Sequence, residues 1–379
     1  MTSVTVLKST IAHLGGLEKY TLRLIGEFQR QGCQVVLLTT GKTEQIAQLQ
    51  TIDVRSHKFK SRLSVNKVKE FDRFCAHHVE KQPSEIVFGL DRNRDQTHIR
   101  AGNGVHAAYL NRRKKTEGLL KRISFRFNPL HKLLLSIEKE SFENPNLQTL
   151  FTNSHMVKNE ILSYYRVEEK KIEVIHNGVE WHEMQAPFDN ALHLKSLYCK
   201  EIGLNEHSYQ LLFIGHNFAR KGLLELLQAL SSLSHYDFQL SVIGTDKHIG
   251  FFQDQAHKLS IAHKVKFFGA RKDVMKFYQI ADCLVIPSHY DPFANVTLEA
   301  LAMGLHVISS KDNGASEILS PQAGSILPDL FDRECFTQAL LKAFAHPKDP
   351  TSSALIRQGV KHLDFSQQLF LMVHKTLSQ

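Results

Sequence analysis

Short apolar runs of strand length alternate with longer stretches of helical periodicity along the chain, and this alternation constrains the fold more than any other feature. Strands that alternate with helices build βαβ units and parallel sheets, and strands this apolar are covered on both faces. The number of predicted strands is larger than one sheet of ordinary size holds. The sequence therefore predicts an α/β protein with two doubly wound domains. The predicted strands are Val4–Leu7, Val35–Thr39, Ile86–Phe88, Thr97–Arg100, Leu147–Thr152, Ile172–Ile175, Gln210–Ile214, Gln239–Ile243, Val265–Phe268, Cys283–Ile286 and Val307–Ser309.

The domain boundary is predicted just after Ile175. His176–Gly178 is a turn signal there, and the stretch Val179–Leu192 lacks periodicity. The chain has 379 residues, which suits two domains because one domain commonly takes roughly 100–200 residues. We therefore expect a first domain at residues 1–176 and a second at residues 177–364, with a last helical segment at about 365–379.

Composition excludes several functional classes. The five cysteines are scattered, odd in number and never in a CxxC pair, which argues against a disulfide framework or a zinc site and favours a reducing cytoplasm. No stretch approaches the ~20 consecutive apolar residues of a membrane-spanning helix, and the N-terminus is typical of a strand rather than an export signal. The net charge of +9 indicates an anionic partner: nucleic acid, an anionic membrane surface or a phosphorylated substrate.

The loop after the first strand carries Gly15 and Gly16, and a helix follows it. Strand, glycine turn and helix form a geometry in which backbone amides meet a phosphate or a sugar. The loop is not GxGxxG and no ribose-binding acid follows the next strand, which argues against an NAD site. A tight turn that only needs flexible glycines explains the pattern equally well.

The segment Asp291–Gly304 follows a buried strand and combines two acids with a helix start. We expect Asn295 to cap a helix that Gly304 ends, so that amides near Val296 and Thr297 face a ligand. Asp291 in the loop is placed to hold sugar hydroxyls, and Glu299 one turn into the helix is placed to hold ribose hydroxyls. The alternative is an acid that complements the helix dipole, with a solvated glutamate beside it.

Two adjacent cations follow the strand Gln210–Ile214. Gly215 ends this strand, and Arg220, Lys221 and Gly222 open the next helix. Cations at a helix start oppose the helix dipole, so an anion explains them better than solvation does. They suit the negative charge that develops on a departing nucleoside diphosphate. No DxD-like carboxylate pair suggests a metal, and the nucleotide base is expected against Ile243–Gly244 and the loop Gly269–Val274.

Taken in their order along the chain, these motifs resemble those of the retaining glycosyltransferases of family 4. Asp291 and Glu299 match that family's E-x7-E pattern, with Asp in place of the first Glu. The central segment Arg100–Asn153 is most similar to the lipopolysaccharide core glucosyltransferases. The remaining matches are Gly15–Lys19 for the GG-V-E-R loop, Asn153–Ser154 and Asn177–Val179 for the interdomain markers, and Gly215 with Arg220–Gly222 for the diphosphate clamp.

The resemblance implies a GT-B fold, in which two Rossmann-like doubly wound domains face each other across a cleft and the C-terminal helix returns to the first. It also implies that the first domain binds the acceptor and the second binds the nucleotide sugar. It implies transfer of a hexose, glucose in the nearest relatives, from a uracil nucleotide sugar with retention of configuration, and no cofactor or metal. The implied catalytic residues are Asp291, Arg220, Lys221 and His106. The implied donor-binding residues are Gly15, Gly16, Gly215, Arg220, Lys221, Ile243, Gly244, Phe293, Ala294, Asn295, Val296, Thr297 and Glu299.

Candidates for the acceptor side follow the strand Thr97–Arg100. They are Arg100, Asn103 and His106. The glycines between them allow a ligand to approach the backbone closely, and related transferases place an acceptor- or sugar-contacting residue on the corresponding loop. With 22 histidines in the chain, a purely structural His106 is an equal alternative.

A basic amphipathic segment runs from Arg112 to Lys132, with eight Lys or Arg residues against one acid. Basic charge beside an apolar stripe is typical of a helix that lies on an anionic membrane. A solvated helix that packs its stripe on its own domain is the alternative. Nucleic-acid binding is disfavoured because only Phe125 and Phe127 are interleaved aromatics. The predicted membrane-facing residues are Arg112, Arg113, Lys114, Lys115, Lys121, Arg122 and Arg126.

Together these features predict a cytoplasmic glycosyltransferase at the inner face of the cytoplasmic membrane, acting on a lipopolysaccharide-core or other lipid-linked saccharide. Two other functions remain open at this point. One is a nucleotide-sugar epimerase on the same fold, which would convert the donor without an acceptor. The other is a catalytically silent membrane-binding scaffold, which would bind liposomes but no nucleotide sugar.

Overall fold

The computed structural model describes residues 1–11, 16–41, 52–118, 122, 124–125 and 127–378, without the side chains of 16–18, 115 and 116. The chain divides into two compact units. The first comprises Met1–His176 together with Gln368–Gln379, and the second comprises Asn177–Gln367.

The first unit contains a seven-stranded sheet in the order β3-β2-β1-β4-β5-β6-β7. All of its strand pairs are parallel. The strands are β1 (Ser3–Thr10), β2 (Gln34–Thr40), β3 (Asp53–His57), β4 (Ile86–Gly89), β5 (His98–Arg100), β6 (Thr149–Thr152) and β7 (Ile172–Val174). The helices are α1 (Gly16–Arg30), α2 (Ser64–Lys81), α3 (His106–Thr116), α4 (Pro129–Phe142) and α5 (His155–Tyr164).

The second unit contains a six-stranded parallel sheet in the order β10-β9-β8-β11-β12-β13. Its strands are β8 (Tyr209–Ile214), β9 (Phe238–Ile243), β10 (Val265–Gly269), β11 (Cys283–Ile286), β12 (His306–Ser310) and β13 (Gly324–Leu327). Its helices are α6 (Gln185–Asp189), α7 (Ala191–Ile202), α8 (Leu223–Ser231), α9 (Ile249–Lys258), α10 (Val274–Ile280), α11 (Asn295–Ala302), α12 (Arg333–Phe344) and α13 (Pro350–Gly359), and the chain ends with α14 (Phe365–Leu377).

Central strands of both sheets are buried on both faces, as their apolar sequences require. Every residue of β4, β6, β11 and β12 is buried. This confirms the predicted α/β class with two doubly wound parallel sheets. Parallel strands bury both faces under crossover helices, which is why they appear in the sequence as continuous apolar runs.

Helix α14 connects the end of the chain to the first unit. The Lys375 Nζ atom lies 2.9 Å from a carboxylate oxygen of Glu173, and the Tyr20 hydroxyl donates to the Met372 sulfur at 2.8 Å. Met372 and Val373 are buried in the same helix. Return of the last helix to the first unit, which the family resemblance implied, is therefore observed.

Strands β3 and β13 are absent from the sequence prediction. Each lies at an edge of its sheet. The sequence of β3 is DVRSH and none of its residues is buried, while β13 begins with Gly324. The polar sequence of β3 and the short GSIL sequence of β13, with only two apolar side chains, are both typical of loops.

Candidate active site

The carboxyl ends of β8 and β11 meet where the strand order of the second sheet reverses. From β8 the chain continues outward to β9 and β10, and from β11 it continues to β12 and β13 on the other side. Open α/β sheets bind ligands in the crevice at such a switch point. Arg220 and Lys221 follow β8 and Asp291 follows β11, so the predicted cations and the predicted first acid come from the two strands that flank this point.

Asp291 joins both cations in one ion cluster. Its Oδ2 atom lies 2.6 Å from Lys221 Nζ and 3.0 Å from Arg220 Nη1. The same Arg220 nitrogen donates to the Tyr290 carbonyl at 2.9 Å, and Asp291 Oδ1 accepts the Phe293 N–H at 3.2 Å. Two cations share one carboxylate, so the cluster retains a net positive charge.

The cluster is largely withdrawn from water. The side chains of Lys221 and Asp291 are 9% and 10% exposed, whereas Arg220 is 31% exposed. Burial by itself would raise the pKa of Asp291, but the charges of Lys221 and Arg220 outweigh it and hold that pKa below its ordinary value. Asp291 is therefore ionised at neutral pH, and its cations are held in place before any ligand arrives.

Glycines allow the loops of this cluster to pack closely. Gly222 has φ +79° and Gly244 has φ +122°, a region that favours glycine. A Cβ atom at Gly222 would collide with the Pro287 carbonyl oxygen, and one at Gly244 would collide with the Gly215 carbonyl oxygen. Gly215 in turn leaves room for the stem of Lys221, whose Cγ would lie 3.1 Å from a Cβ there.

Asn313, which the sequence analysis did not identify, fixes the loop that carries Asp291. Its side chain is fully buried, accepts the Ala294 N–H at 3.0 Å and donates to the hydroxyls of Thr297 and Ser309 at 3.2 and 2.9 Å. The Asp291 N–H donates to the Asp312 carbonyl at 2.9 Å. An asparagine in a loop after a strand has no distinctive spacing, so only the fold reveals this role.

The start of α11 differs from the prediction. Ala294 occupies the N-cap position and Asn295 is the first helical residue, so the predicted Asn295 cap is wrong. The Asn295 Oδ1 atom instead accepts from Asn177 Nδ2 at 2.6 Å. The Thr297 N–H donates to the Ala294 carbonyl at 2.9 Å, so it is not the open amide that we predicted. Val296 is half-buried, and Gly304 follows the helix with φ +70° as expected.

Glu299 faces a tyrosine that the sequence analysis missed. The Tyr278 hydroxyl donates to Glu299 Oε2 at 2.6 Å, and Tyr278 is 2% exposed. Burial raises the pKa of Glu299, and the Tyr278 hydrogen bond partly opposes this increase. The Tyr278 hydroxyl thus orients the Glu299 carboxylate through Oε2.

Ile243 and Gly244, predicted to lie against the nucleotide base, tie neighbouring strand ends together. The Ile243 carbonyl accepts the Gly215 N–H, and the Gly244 N–H donates to the Gly269 carbonyl, both at 2.9 Å. The Ile243 side chain is 2% exposed and belongs to the hydrophobic core. Phe293 and Ala294, two further predicted donor-site residues, are also buried.

Predicted residues of the first unit lie at the carboxyl edge of its own sheet. Gly15 lies outside the described residues, and Gly16 is the first residue of α1. Arg100 is 9% exposed, and its guanidinium lies over the Tyr20 ring at 4.0 Å from the ring centre. Asn103 is exposed. Arg100 is thus held by an aromatic face, whereas Asn103 is open to solvent.

His106 is enclosed by structural contacts. Its backbone N–H donates to both carboxylate oxygens of Glu138, at 2.9 and 3.0 Å. Its ring Nε2 atom lies 3.1 Å from His131 Nδ1. Burial lowers the pKa of His106 to about 4, and the nearby charges of Arg92, His131 and Arg113 act in the same direction. His106 is therefore a neutral imidazole at neutral pH.

Two of the predicted membrane-facing cations have acidic partners inside the first unit. Arg112 lies 2.5 Å from Glu160 and Arg113 lies 2.6 Å from Glu117, with the Arg113 guanidinium 4.4 Å from the centre of the buried Phe125 ring. Lys114 and Arg122 are exposed. The positions of Lys121 and Arg126 and the side chain of Lys115 lie outside the described part of the chain.

Across the described residues, no helix is long and apolar enough to span a membrane. In the same part of the chain, no group of three or more His, Cys, Asp or Glu side chains is arranged to hold a metal ion.

Two family models match consecutive parts of the chain. The model of Glycosyltransferase Family 4 matches residues 14–182, and the model of Glycosyl transferases group 1 matches residues 196–361. The ion cluster, Tyr278 and Glu299 all lie in the second of these ranges. The acceptor-side candidates Arg100, Asn103 and His106 lie in the first.

Among characterised proteins, the chain is similar to the lipopolysaccharide glucosyltransferase WaaG of Escherichia coli, with 24% identity over 95% of this chain and 94% of WaaG. The crystal structure of WaaG, a glycosyltransferase involved in lipopolysaccharide biosynthesis, matches with a TM-score of 0.76 at 21% identity over 98% of each chain. An uncharacterized glycosyltransferase of Methanocaldococcus jannaschii is 31% identical over 47% of this chain and 46% of its own. Anabaena HepE in complex with UDP-glucose has a TM-score of 0.70 at 13% identity, with all of both chains covered.

Proposed function

This chain is a glycosyltransferase of the GT-B fold that resembles the lipopolysaccharide core glucosyltransferases, and we propose that it transfers glucose from UDP-glucose to a hydroxyl of a lipid-linked saccharide with retention of configuration. The acceptor that we propose is a lipopolysaccharide core or a similar glycolipid at the inner face of the cytoplasmic membrane. Similarity to WaaG supports the sugar and the acceptor, and similarity to HepE supports the uracil nucleotide.

The ion cluster of Arg220, Lys221 and Asp291 carries this proposal. A leaving nucleoside diphosphate gains negative charge in the transition state, and fixed cations in a dry site stabilise that charge without reorganisation. Lys221 provides a point charge, and Arg220 can donate to two phosphate oxygens at once. The cluster already holds both groups together, so we propose that the enzyme needs neither a metal nor another cofactor.

Each acid of the site receives one role in this proposal. Asp291 holds the two cations through Oδ2, and its Oδ1 atom takes a hydroxyl of the donor hexose. Glu299 accepts ribose hydroxyls through Oε1, while Tyr278 orients it through Oε2. Main-chain groups near Gly215, Gly244 and Phe293 surround the nucleotide and sugar.

In the transfer step, the acceptor oxygen bonds to the anomeric carbon as the bond from that carbon to the phosphate oxygen breaks. The acceptor proton moves to an oxygen of the departing diphosphate, which takes both electrons of the broken bond. Lys221 and Arg220 hold that diphosphate on the same face as the incoming hydroxyl. The lowered pKa makes His106 a weak base, and its Nε2 atom lies 3.1 Å from His131 Nδ1, so we assign it a positioning role near the acceptor rather than proton transfer.

Product stereochemistry tests this proposal. The enzyme is incubated with UDP-glucose and a deacylated lipopolysaccharide-core oligosaccharide, and the new anomeric centre is determined by NMR. We expect the α-configuration of the donor in the product, and a β-linked product would contradict the retaining mechanism. Incubation with UDP-glucose alone is the control, since conversion of the donor to another nucleotide sugar would show an epimerase.

Membrane association is proposed to involve the exposed Lys114, Arg122 and Phe127, the last of which is 70% exposed. Each such cation contributes about 1 kcal/mol near an anionic lipid surface. We expect the protein to sediment with vesicles that contain phosphatidylglycerol and not with pure phosphatidylcholine vesicles. The double substitution Lys114→Glu and Arg122→Glu should abolish this difference, whereas equal sedimentation of variant and wild type would contradict the assignment.

A further inference from the structure

A cavity of about 530 Å³ opens in the second unit between the loops that follow β8 and β9. Its walls include Asn217, Thr245, Asp246, Lys247, Phe251 and Phe252. Asp291, Lys221 and Glu299 do not line it, but Ala219 and Thr245 in its walls directly adjoin Arg220 and Gly244, so the cavity borders the proposed donor site. Its volume lies within the range of roughly 300–1,000 Å³ that is usual for small-molecule sites.

One wall of the cavity is aromatic and firmly supported. The buried Phe252 ring packs edge-on against Phe218, with the ring centres 5.5 Å apart. Phe251 packs edge-on against Phe252 at 5.2 Å and remains 48% exposed. A half-exposed ring on a rigid base costs little conformational entropy when a ligand covers it, and it presents an apolar face for C–H groups.

A few polar groups lie at the rim of this mainly apolar cavity, and hydrogen bonds to the backbone hold them in place. Asp246 accepts the Phe218 N–H on Oδ2 and the His248 N–H on Oδ1, both at 2.7 Å. The Thr245 hydroxyl lies 3.0 Å from His216 Nδ1. Each of these oxygens has further acceptor capacity, so the wall presents fixed hydrogen-bonding groups at the rim of an apolar base.

We propose that this cavity binds a saccharide residue of the acceptor other than the one that is glycosylated. The inference rests on the proposed function, because it assumes a saccharide acceptor. A sugar ring has an apolar C–H face and a rim of hydroxyls, and the cavity offers an aromatic face beside carboxylate, amide and hydroxyl groups. An acyl chain would instead cover Asp246, Asn217 and Thr245 without replacing their contacts with water, which is costly.

Asn217 links this cavity to the cations of the active site. Its side-chain Oδ1 atom accepts the backbone N–H of Arg220 at 3.2 Å, and its backbone carbonyl accepts the backbone N–H of Lys221 at 3.1 Å. Asn217 also has φ +58°, a left-handed conformation that is uncommon outside glycine. A saccharide that contacts Asn217 therefore contacts the loop that carries both cations. Binding energy from a non-reacting part of the acceptor can in this way support the transfer step.

The test compares two half-exposed phenylalanines. Phe251→Ala removes the aromatic wall, and Phe370→Ala on α14 is the matched control, since Phe370 is 51% exposed and belongs to the first unit. Phe251→Trp keeps an aromatic face. Affinity for a deacylated lipopolysaccharide-core oligosaccharide is measured by calorimetry without donor, UDP affinity is measured separately, and transfer from UDP-glucose gives KM for the oligosaccharide and kcat.

We expect Phe251→Ala to weaken oligosaccharide affinity and raise its KM about five- to tenfold, with UDP affinity unchanged. Phe370→Ala should match the wild type, and Phe251→Trp should retain most of the affinity. Equal oligosaccharide affinity of the wild type and Phe251→Ala, or no binding to either, would overturn the inference. Weakened binding in Phe251→Ala without any glucose transfer by the wild type would support the saccharide site while contradicting the proposed function.

Discussion

Asp291 in the second unit and Glu138 in the first are both buried carboxylates that accept a hydrogen bond from an arginine, yet they have different consequences. Glu138 is 1% exposed, and its other donors are the His106 N–H and the Tyr165 hydroxyl. Asp291 holds two cations, and the guanidinium of Arg220 remains 31% exposed. Arg92, which contacts Glu138, is 25% exposed, so neither burial of the acid nor exposure of its arginine distinguishes the two sites. The difference is charge: Glu138 contacts one cation, whereas Asp291 is shared by two and leaves a net positive charge that can bind an anion.

We expect the largest loss of activity from substitution of Lys221. One electrostatic donor to a developing charge is worth about 2.7–4 kcal/mol, so Lys221→Ala should lower kcat for glucose transfer roughly 10²–10³-fold. Lys276→Ala is the matched control, because Lys276 pairs with Glu201 on the surface of the same unit. Steady-state kinetics measure both variants, and a loss smaller than tenfold for Lys221→Ala would remove it from the site.

Substitution of Glu138 tests whether this acid stabilises the fold without contributing to donor binding. Glu138→Gln weakens hydrogen bonds to a charged group, each worth about 1.5–3 kcal/mol, so the free energy of unfolding should fall by about that amount. Urea denaturation measures this change, and calorimetry measures UDP binding. We expect UDP affinity to stay at the wild-type value. Loss of UDP affinity in a variant that remains folded would show that Glu138 acts on the donor site.

Asp291→Asn separates the two roles that we assign to Asp291. Losing the carboxylate should lower kcat about ten- to a hundredfold, because the sugar hydroxyl and the cations lose a charged partner. UDP affinity should stay equal or increase, since the diphosphate no longer competes with Asp291 for Lys221. A parallel fall of UDP affinity and kcat would contradict this division.

Tyr278→Phe has the smallest expected effect. The lost hydrogen bond to Glu299 is worth about 0.5–1.5 kcal/mol, so KM for UDP-glucose should rise about two- to tenfold. Burial raises the pKa of Glu299 and the Tyr278 hydroxyl opposes the increase. Protonated Glu299 accepts ribose hydroxyls poorly, so KM should rise as pH falls through that pKa. In Tyr278→Phe this rise should begin at a higher pH, and an unchanged pH profile would exclude the contact.

The sequence predicted most of the fold because central parallel strands are continuous apolar runs. It missed β3 because the sequence of that strand is polar, and β13 because that strand has only two apolar side chains among four residues. It also placed Arg220, Lys221 and Asp291 at the ends of strands that prove to be neighbours, since a doubly wound sheet brings those ends together.

What the sequence could not provide were contacts between residues distant along the chain. Asn313 and Tyr278 have no motif spacing, and they act through the fold on Asp291 and Glu299. The Asn295 cap was wrong because the local preference of Asn for helix starts yielded to its contact with Asn177. Arg112 and Arg113 carry charges in a basic segment, yet Glu160 and Glu117 neutralise them within the unit.

We propose that fixed cations, rather than a metal, bind the diphosphate of the donor. Calorimetric titration of UDP and of uridine into the wild type and Lys221→Ala, with EDTA present, tests it most directly. Charge-assisted hydrogen bonds to two phosphates predict that wild-type enzyme binds UDP at least about tenfold more tightly than uridine, and that Lys221→Ala loses most of this preference. Equal affinities for UDP and uridine in EDTA, with a preference for UDP appearing only when Mg²⁺ is added, would contradict it.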